Sequence, residues 1–349
     1  MRVLNNLAQD DLRLTAASAK ASEAAGYDGV MTMENKHDPF LAHAIAAVNT
    51  DRIELGTSVA IAFPRSPMVV ANAAWDLQNA SQGRFVLGLG PQIRPHNERR
   101  FSVAWTAPAP RLREYVQAVR AIWTCWETGG KLDFQGQHYK FSLMPPYFMP
   151  ASTGQRMVPV TLAAVGQHTL RMAGEVGDGV RLHGFCTRRY LAEEILPRLQ
   201  EGMARSGRTR ESFEITGGGF VATGPDEETT AQMFEIVRGR VAFYGTTPSY
   251  WPVFEVHGLG DLGRELNAMS KVGKWNELAS RVPDDVVHLF AAVGTHKEIA
   301  KRIEERFGGL SDALGMRSDS SMTGYDVPPD VMQDIKRIPT PFQGYKTAW

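Results

Sequence analysis

The sequence predicts an α/β protein with a (β/α)8 TIM barrel fold, and three observations favour this fold. Seven or eight short apolar runs alternate with amphipathic helical patterns, an order typical of a parallel sheet. The chain has 349 residues, enough for one barrel with insertions. In residues 53–67 a buried strand runs into Gly56, Thr57 and Ser58 before a new helix begins, and barrels carry their sites at such strand ends. The same segment is also typical of an ordinary strand, loop and helix.

The first half of the chain supplies four predicted strands, each a short apolar run bounded by polar or turn residues. They cover residues 2–8, 29–33, 53–61 and 84–90. Asp10 or Asp11 caps the first predicted helix, and Asp38 and Ser66 cap the next two. A fourth helix is predicted over residues 111–126, which carry an apolar stripe at helical spacing.

The second half continues the alternation with four more predicted strands. They cover residues 158–163, 179–183, 213–221 and 313–317, the last of which has few β-branched residues. Helices are predicted over residues 166–177, 187–205 and 226–243. Thr295 and Glu298 form a capping-box pattern for a last helix that stops at Gly308.

These elements assign residues 1–317 to a single barrel with two insertions. The first insertion, residues 129–156, contains a predicted hairpin that turns at Gln135 and Gly136. The second, residues 244–284, shows no simple period, and loops of that length are usually functional or face a partner. Residues 318–349 are rich in proline and are expected to form an extended tail.

The composition excludes several classes of protein. Lysine plus arginine and aspartate plus glutamate both total 38, so the formal net charge is zero and neither nucleic acid nor a membrane surface is expected as a partner. The two cysteines cannot form a disulfide framework or a zinc site, so no metal is predicted. The chain shows neither a signal-peptide pattern nor an apolar run of about 18 residues, and we expect a cytoplasmic protein.

Several motifs, in this order and spacing, resemble those of the bacterial luciferase-like superfamily of flavin and deazaflavin oxidoreductases. The motifs are AGYDGV at 25–30, HDPF at 37–40, LGTSVAIAF at 55–63, SQGRFVLGLG at 81–90, LDFQGQHY in the predicted hairpin and AGEVGDGV at 173–180. Four further phrases resemble the branch that uses the 5-deazaflavin coenzyme F420. They are RSPM at 65–68, AWDLQ at 74–78, PHNERRF at 95–101 and DLGRELNAMSK at 261–271. The resemblance covers roughly residues 2–317.

The resemblance implies a barrel, often dimeric, that holds the cofactor ring at the C-terminal ends of the strands. It implies a non-proline cis peptide between Ser58 and Val59 that supports the back of the ring. It also implies that a loop at Gly166 meets the cofactor phosphate, where backbone N–H groups at a helix start suit an anion. The cofactor-binding positions implied are Asn35, Ser58, Val59, Gly90, Pro91, Gln92, Gly166, Gln167 and His168.

Two positions depart from the branch that oxidises sugar phosphates. An Asp-His pair follows the second strand in that branch, and this chain has Glu34 and Asn35 there. A glutamate follows its fourth strand, and this chain has Ile93. The base and acid for alcohol oxidation are therefore missing where the resemblance places them.

Glu34, His37 and His96 are the remaining candidates for proton transfer. Each also has a structural alternative: Glu34 pairs with Lys36 on the surface, His37 orients the cap of Asp38, and His96 is an ordinary loop residue. Because residues that follow a barrel strand project to its C-terminal face, we expect His96 to line the mouth of the site.

The leading functional hypothesis is an oxidoreductase that passes a hydride between F420 and a small organic substrate. One alternative is a monooxygenase that uses molecular oxygen and reduced FMN delivered by a separate reductase. Another is a cofactor-binding relative without turnover. The deazaflavin carries a phosphate, a lactyl group and a polyglutamate chain, and Arg94, Arg99, Arg100 and Arg171 could meet these anions. A homodimer is expected from the resemblance.

Overall fold

The computed structural model describes residues 1–316 and 327–349. Its strands follow the predicted order along the chain, with boundaries that differ by a few residues. The strands are β1 (Arg2–Asn6), β2 (Gly29–Thr32), β3 (Glu54–Thr57), β4 (Ala60–Ile61), β5 (Phe85–Gly90), β6 (Phe134–Gln135), β7 (Lys140–Phe141), β8 (Val160–Ala163), β9 (Gly179–Arg181), β10 (Glu214–Thr216), β11 (Phe220–Ala222), β12 (Ala291–Val293) and β13 (Ala313–Gly315).

Helices separate most of these strands. They are α1 (Leu12–Ala25), α2 (Leu41–Ala47), α3 (Pro67–Ala80), α4 (Pro108–Thr128), α5 (Gln167–Val176), α6 (Arg188–Tyr190), α7 (Leu196–Ser206), α8 (Glu227–Gly245), α9 (Trp251–Glu255), α10 (Gly260–Lys271), α11 (Asp284–Phe290), α12 (Ile299–Phe307) and α13 (Pro329–Lys336). A π-helical turn, Leu191–Ile195, joins α6 to α7, and another covers His96–Arg100. None of the helices in the described ranges is long and apolar enough to cross a membrane.

The main sheet is parallel and closed. Its strand order is β3-β2-β1-β13-β10-β9-β8-β5-β4, and β3 also pairs with β5. β3 and β4 are consecutive parts of one strand, and both pair with β5. Because the order begins with β3 and ends with β5 and β4, the pairing of β3 with β5 closes the sheet as a barrel. The predicted (β/α)8 TIM barrel fold is confirmed.

The larger of two packing units contains residues 4–181, 198–214 and 342–349. Its centre is β5, whose six residues are all buried between β3 and β8. Helices α3 and α4 pack together over this part of the sheet, and the indole of Trp123 donates a 3.1 Å hydrogen bond to the carbonyl of Ala71. The core therefore forms where the predicted apolar runs and stripes meet.

The second unit contains residues 1–3, 182–197 and 215–341, of which residues 317–326 lie outside the described part. Three buried aromatic rings form its centre: the Phe185 ring lies 5.1 Å from that of Phe254 and 4.6 Å from that of Phe290. Around them α8, α10 and α11 pack as a helical layer.

The strand predicted over residues 213–221 is wrong in its second half. It ends at Thr216, and Gly217, Gly218 and Gly219 follow with φ angles of 85°, 95° and 158°. Such angles are outside the strand region, so the chain leaves the barrel there. Residues after the glycines form β11, which pairs with β12 in a separate parallel ribbon.

Insertions and caps account for the other differences. Residues 244–284, which showed no period, contain the helices α9 and α10. The predicted hairpin is β6–β7, but its turn covers residues 136–139, where Glu114 accepts hydrogen bonds from three turn N–H groups. Only half of the capping box forms, because the Glu298 carboxylate accepts from Thr295 at 3.3–3.4 Å without a return bond. Helix α13 was not predicted in the tail; the prediction for 318–326 lies outside the described residues.

Candidate functional site

The barrel strand formed by β3 and β4 is interrupted by a non-proline cis peptide between Ser58 and Val59, so that prediction is confirmed. Neighbouring residues hold both sides of this peptide. The N–H of Ser58 donates to the carbonyl of Thr32 at 2.7 Å, and the carbonyl of Val59 accepts from the N–H of Glu34 at 3.3 Å. The end of β2 therefore fixes the end of β3 through the backbone.

Two glycines of β5 lie against this interruption. A Cβ atom on Gly88 would sit 1.8 Å from the carbonyl oxygen of Thr57, and one on Gly90 would sit 2.7 Å from Cγ2 of Val59. The Thr57 hydroxyl also donates to the carbonyl of Gly88 at 2.7 Å and accepts from its N–H at 2.9 Å. The space beside Gly88 is therefore filled by the chain itself, whereas Gly90 leaves room for the Val59 side chain.

Glu34 is committed to a buried ion pair. One guanidinium nitrogen of Arg65 lies 2.8 and 2.7 Å from its two carboxylate oxygens, and the N–H of Ile61 donates to it at 2.7 Å. The Glu34 side chain is 6% exposed, and it does not pair with Lys36. Burial opposes the charge of Arg65, but the hydrogen bonds and charges of Glu34 and Asp38 outweigh it and raise the guanidinium pKa.

His37 and Asp38 differ in what they contact. The Asp38 carboxylate accepts from the N–H groups of Phe40 and Leu41 at 2.8 and 3.3 Å, so it caps the turn that leads into α2, whose N-cap residue is Phe40. His37 does not orient this cap. Its Nε2 atom lies 3.2 Å from the carboxylate of Asp10, and its side chain is 42% exposed.

The loop after β5 places His96 at the start of a π-helical turn. Gln92 adopts a positive φ of 56°, and the amide of Asn97 donates to the carbonyl of Pro91 at 2.9 Å, which shapes the loop. Nδ1 of His96 is buried and has no hydrogen-bond partner among the described residues. The His96 side chain as a whole is half-buried.

The arginines proposed for the cofactor tail are mostly engaged elsewhere. Arg94 pairs with Glu98 at 3.0 Å, and Arg100 donates to the backbone carbonyl of Asn35. Asn35 uses its own side-chain oxygen to accept from the next backbone N–H at 2.6 Å. These contacts tie the loop after β2 to the loop after β5.

The start of α5 presents its backbone to solvent. Gly166 is extended at the N-cap, its carbonyl accepts from the hydroxyl of Thr169 at 2.7 Å, and within the described part of the chain no side chain caps the helix. Gly166, Gln167 and His168 are all exposed. Uncapped N–H groups at a helix start can bind an anion, as the resemblance implies for this loop.

The sheet order brings these predicted positions to one edge. β2, β3, β5 and β8 are consecutive parallel neighbours. Their C-terminal ends lead directly into the loops that carry Glu34 and Asn35, Ser58 and Val59, Gly90 to Gln92, and Gly166 to His168. Because parallel strands end at the same edge, these loops form one surface at the barrel mouth.

The sequence analysis did not single out His183, which follows β9 in the second unit. Its ring stacks on Tyr250 at 4.7 Å and meets the edge of Tyr244 at 4.4 Å. Its Nδ1 atom accepts from the N–H of Phe185 at 3.0 Å, so the neutral ring carries its proton on Nε2. Burial lowers the His183 pKa to about 4. A polar residue at the end of a predicted barrel strand was the available signal.

Comparison with known proteins identifies the family. The model of the luciferase-like monooxygenase family matches residues 2–312. The chain belongs to this family. The luciferase-like family thus covers every barrel strand except the last, together with all the loops described above.

Three proteins are related to this chain in sequence. An uncharacterised protein of Mycobacterium tuberculosis is 46% identical over 305 residues, 87% of this chain and 90% of that protein. The 5,10-methylenetetrahydromethanopterin reductase of Archaeoglobus fulgidus is 28% identical, over 82% and 83% of the two chains. A Mycobacterium tuberculosis protein named as a coenzyme F420-dependent oxidoreductase is 29% identical, over 81% and 84%.

Solved structures of luciferase-like proteins share the fold. The coenzyme F420 dependent tetrahydromethanopterin reductase from Methanopyrus kandleri superimposes with a TM-score of 0.75 at 18% identity, covering 97% of both chains. The oxygenating constituent of 3,6-diketocamphane monooxygenase from Pseudomonas putida, solved with FMN, gives 0.66 at 14% identity, covering 95% and 94%. At these identities the likeness supports the barrel fold, which proteins with either cofactor share.

Proposed function

We propose that this luciferase-like protein is an oxidoreductase that transfers a hydride between the deazaflavin coenzyme F420 and an organic substrate. The observation that carries the proposal is the packing of Val59 beside Gly90 at the barrel mouth, where β4 pairs with β5. It forms the apolar support that the sequence resemblance expects behind a cofactor ring. Two relatives, named as an F420-dependent oxidoreductase and as a methylenetetrahydromethanopterin reductase, favour this class of activity.

The described residues fit a cofactor with a flat ring and a phosphate. Val59 offers an apolar side chain at the strand end, and the exposed start of α5 offers backbone N–H groups two strands away in the sheet. Both features belong to the same packing unit. Val59 and Gly90 would support the ring, and Gly166, Gln167 and His168 would bind the phosphate.

The deazaflavin, when bound, supplies hydride chemistry at a ring carbon. The side chains of this chain then have to position the substrate and handle the proton. Both carboxylate oxygens of Glu34 are engaged by Arg65 and Ile61, which suits Glu34 to holding the β3–β4 interruption rather than exchanging protons. His96 is half-buried in the loop after β5 and forms no ion pair among the described residues, whereas His37 pairs with Asp10, so we assign proton transfer to His96 before His37.

A luciferase-like monooxygenase that uses reduced FMN is the second candidate. The FMN-bound neighbour has the same barrel, and a ring support with a phosphate-binding helix start fits FMN equally well. The two cofactors differ beyond the phosphate, where only the deazaflavin continues into a lactyl and polyglutamate chain. A relative that binds cofactor without turnover is a third possibility, which turnover itself would exclude.

Titration of the purified protein with F420 and with FMN, followed by fluorescence, tests the proposal. We expect F420 to bind with a Kd of about 1 μM or tighter, and FMN at least tenfold more weakly, on the order of 1.4 kcal/mol. Raising the salt concentration should weaken the preference because the distinguishing groups are anionic. Tight FMN binding without measurable F420 binding would favour the monooxygenase instead.

A further inference from the structure

A pocket of about 570 Å³ opens beside the start of α5. It lies between α4, α5 and α7 and is lined by residues of all three helices. Those that matter here are Arg113, His168, Arg171, Glu201 and Arg205. All of them belong to the larger packing unit.

The charges around this pocket do not balance. Arg171 is paired with Glu201, while Arg113 and Arg205 share the carboxylate of Glu175 at 2.8 and 3.7 Å. Three guanidinium groups therefore face two carboxylates, which leaves one positive charge in excess. In addition, the Nε atom of Arg113 is buried and has no hydrogen-bond partner within residues 1–316 and 327–349. An incoming carboxylate would meet this excess positive charge.

The pocket is continuous with the helix start assigned to the cofactor phosphate. His168 belongs both to the loop at the N-terminus of α5 and to the pocket wall, and Arg171 follows one turn later. A chain that leaves a phosphate at this helix start can therefore pass along α5 into the pocket. The first turn of α5 adds its partial positive charge along the same path.

We propose that this pocket binds a carboxylate of the polyglutamate tail of the deazaflavin. The proposal rests on the proposed function; of the arginines expected to meet the tail it keeps Arg171, and it adds Arg113 and Arg205, which share one carboxylate. Guanidinium groups bind carboxylates through paired hydrogen bonds, which suits Arg113 and Arg205 to this ligand. One excess positive charge pairs with one carboxylate, so the glutamates nearest the phosphate account for most of the gain in affinity.

Three probes of increasing length test this pocket on the full chain. They are the deazaflavin ring with its ribityl chain alone, the same molecule ending at the lactyl phosphate, and the coenzyme with its polyglutamate tail. For the wild type we expect affinity to rise at each step. In Arg113→Gln/Arg205→Gln the last step should disappear, with affinity for the tailed coenzyme lowered about tenfold and affinity for the other two probes unchanged.

Matched variants separate the possible results. Arg205→Gln alone should produce part of the loss if the double variant folds poorly, and Arg113→Lys should retain part of the tail affinity. Arg264→Gln is the control, because Arg264 is 58% exposed, close to the 56% of Arg205, and pairs with Asp261 in the other unit. Equal losses for tailed and untailed probes, or no loss for the tailed coenzyme, would overturn the tail assignment. Failure of every deazaflavin probe to bind the wild type would instead overturn the proposed function and the tail assignment with it.

Discussion

Glu34 illustrates how a residue of catalytic type can be used for architecture. It follows β2 at the barrel mouth, where a carboxylate is usually read as an acid or base. Its oxygens accept hydrogen bonds from Arg65 and from the N–H of Ile61. Ile61 lies in β4, which follows the cis peptide, whereas β3 precedes it. The carboxylate thereby joins the loop after β2 to β4. Its charge stabilises a backbone shape that the proposed ring support requires.

Glu34→Gln should therefore destabilise the fold. The substituted amide keeps an acceptor for the N–H of Ile61 but carries no charge. Arg65 keeps its ion pair with Asp38 at 3.0 Å. The free energy of unfolding should therefore fall by about 1–3 kcal/mol, less than for a buried charge left without any partner. Urea unfolding monitored by tryptophan fluorescence measures it. Glu98→Gln, which breaks the exposed pair with Arg94, should change stability by less than about 1 kcal/mol. Unchanged stability with abolished turnover would make Glu34 a catalytic group instead.

At the scale of elements, the pairing of the β3–β4 strand with β5 depends on two glycines with different neighbours. The Cβ of an alanine at 88 would meet the backbone oxygen of Thr57, which cannot move without separating the strands. At 90 it would meet Cγ2 of Val59, a side chain that can rotate, and would lie 3.2 Å from the Cβ atom of Ala163. The same substitution should therefore act on folding at one position and on the ring support at the other.

We expect Gly88→Ala to cost about 3 kcal/mol or more, and Gly90→Ala about 1 kcal/mol. Gly90→Ala should nevertheless weaken F420 binding about tenfold, since Val59 is pushed out of place. Urea unfolding and fluorescence titration of both variants provide the two readouts. Equal losses of stability at the two positions would show that both glycines serve strand packing alone.

Most barrel elements were predictable because their signals are local. Apolar runs gave the strands, Ser66 caps α3, and Asp38 caps the turn that leads into α2. Where prediction failed, the structure depends on a distant partner: β12 forms because β11 lies beside it, some 70 residues earlier in the chain. The three glycines after Thr216 also have no apolar signal, and their φ angles end the strand.

At the scale of the whole molecule, the candidate site likewise combines features that could be predicted with features that depend on distant residues. The cis peptide at Ser58–Val59 was expected from the family resemblance, and sheet order then brings four loops to one edge. The partner of Glu34 was not predicted, because the local choice was Lys36 and the observed one, Arg65, lies 31 positions away. The environment of His183 likewise depends on Tyr244 and Tyr250, which come from the second insertion.

One histidine with a lowered pKa in each packing unit should make stability depend on pH. His43 is fully buried, and its Nε2 atom lies 2.9 Å from the carbonyl of Gly56 and 3.0 Å from the hydroxyl of Thr32. Burial lowers the pKa of His43 to about 4, as it does for His183. Both rings are therefore neutral in the folded protein at neutral pH.

The sign of the effect follows from proton binding. In the unfolded chain each of these histidines takes up a proton near pH 6.5, whereas in the folded chain it does so only near pH 4. The contribution of the neutral rings to stability is therefore complete above pH 6.5 and is lost as the pH falls from 6.5 to about 4. For His43 the loss should reach roughly 3 kcal/mol. Urea unfolding at intervals from pH 7 to pH 4.5 should show a shallower fall for His43→Gln and for His183→Gln than for the wild type. As a control, His168→Gln should follow the wild-type curve of stability against pH, because His168 is exposed. A His43→Gln curve parallel to that of the wild type would mean that His43 takes up its proton without unfolding.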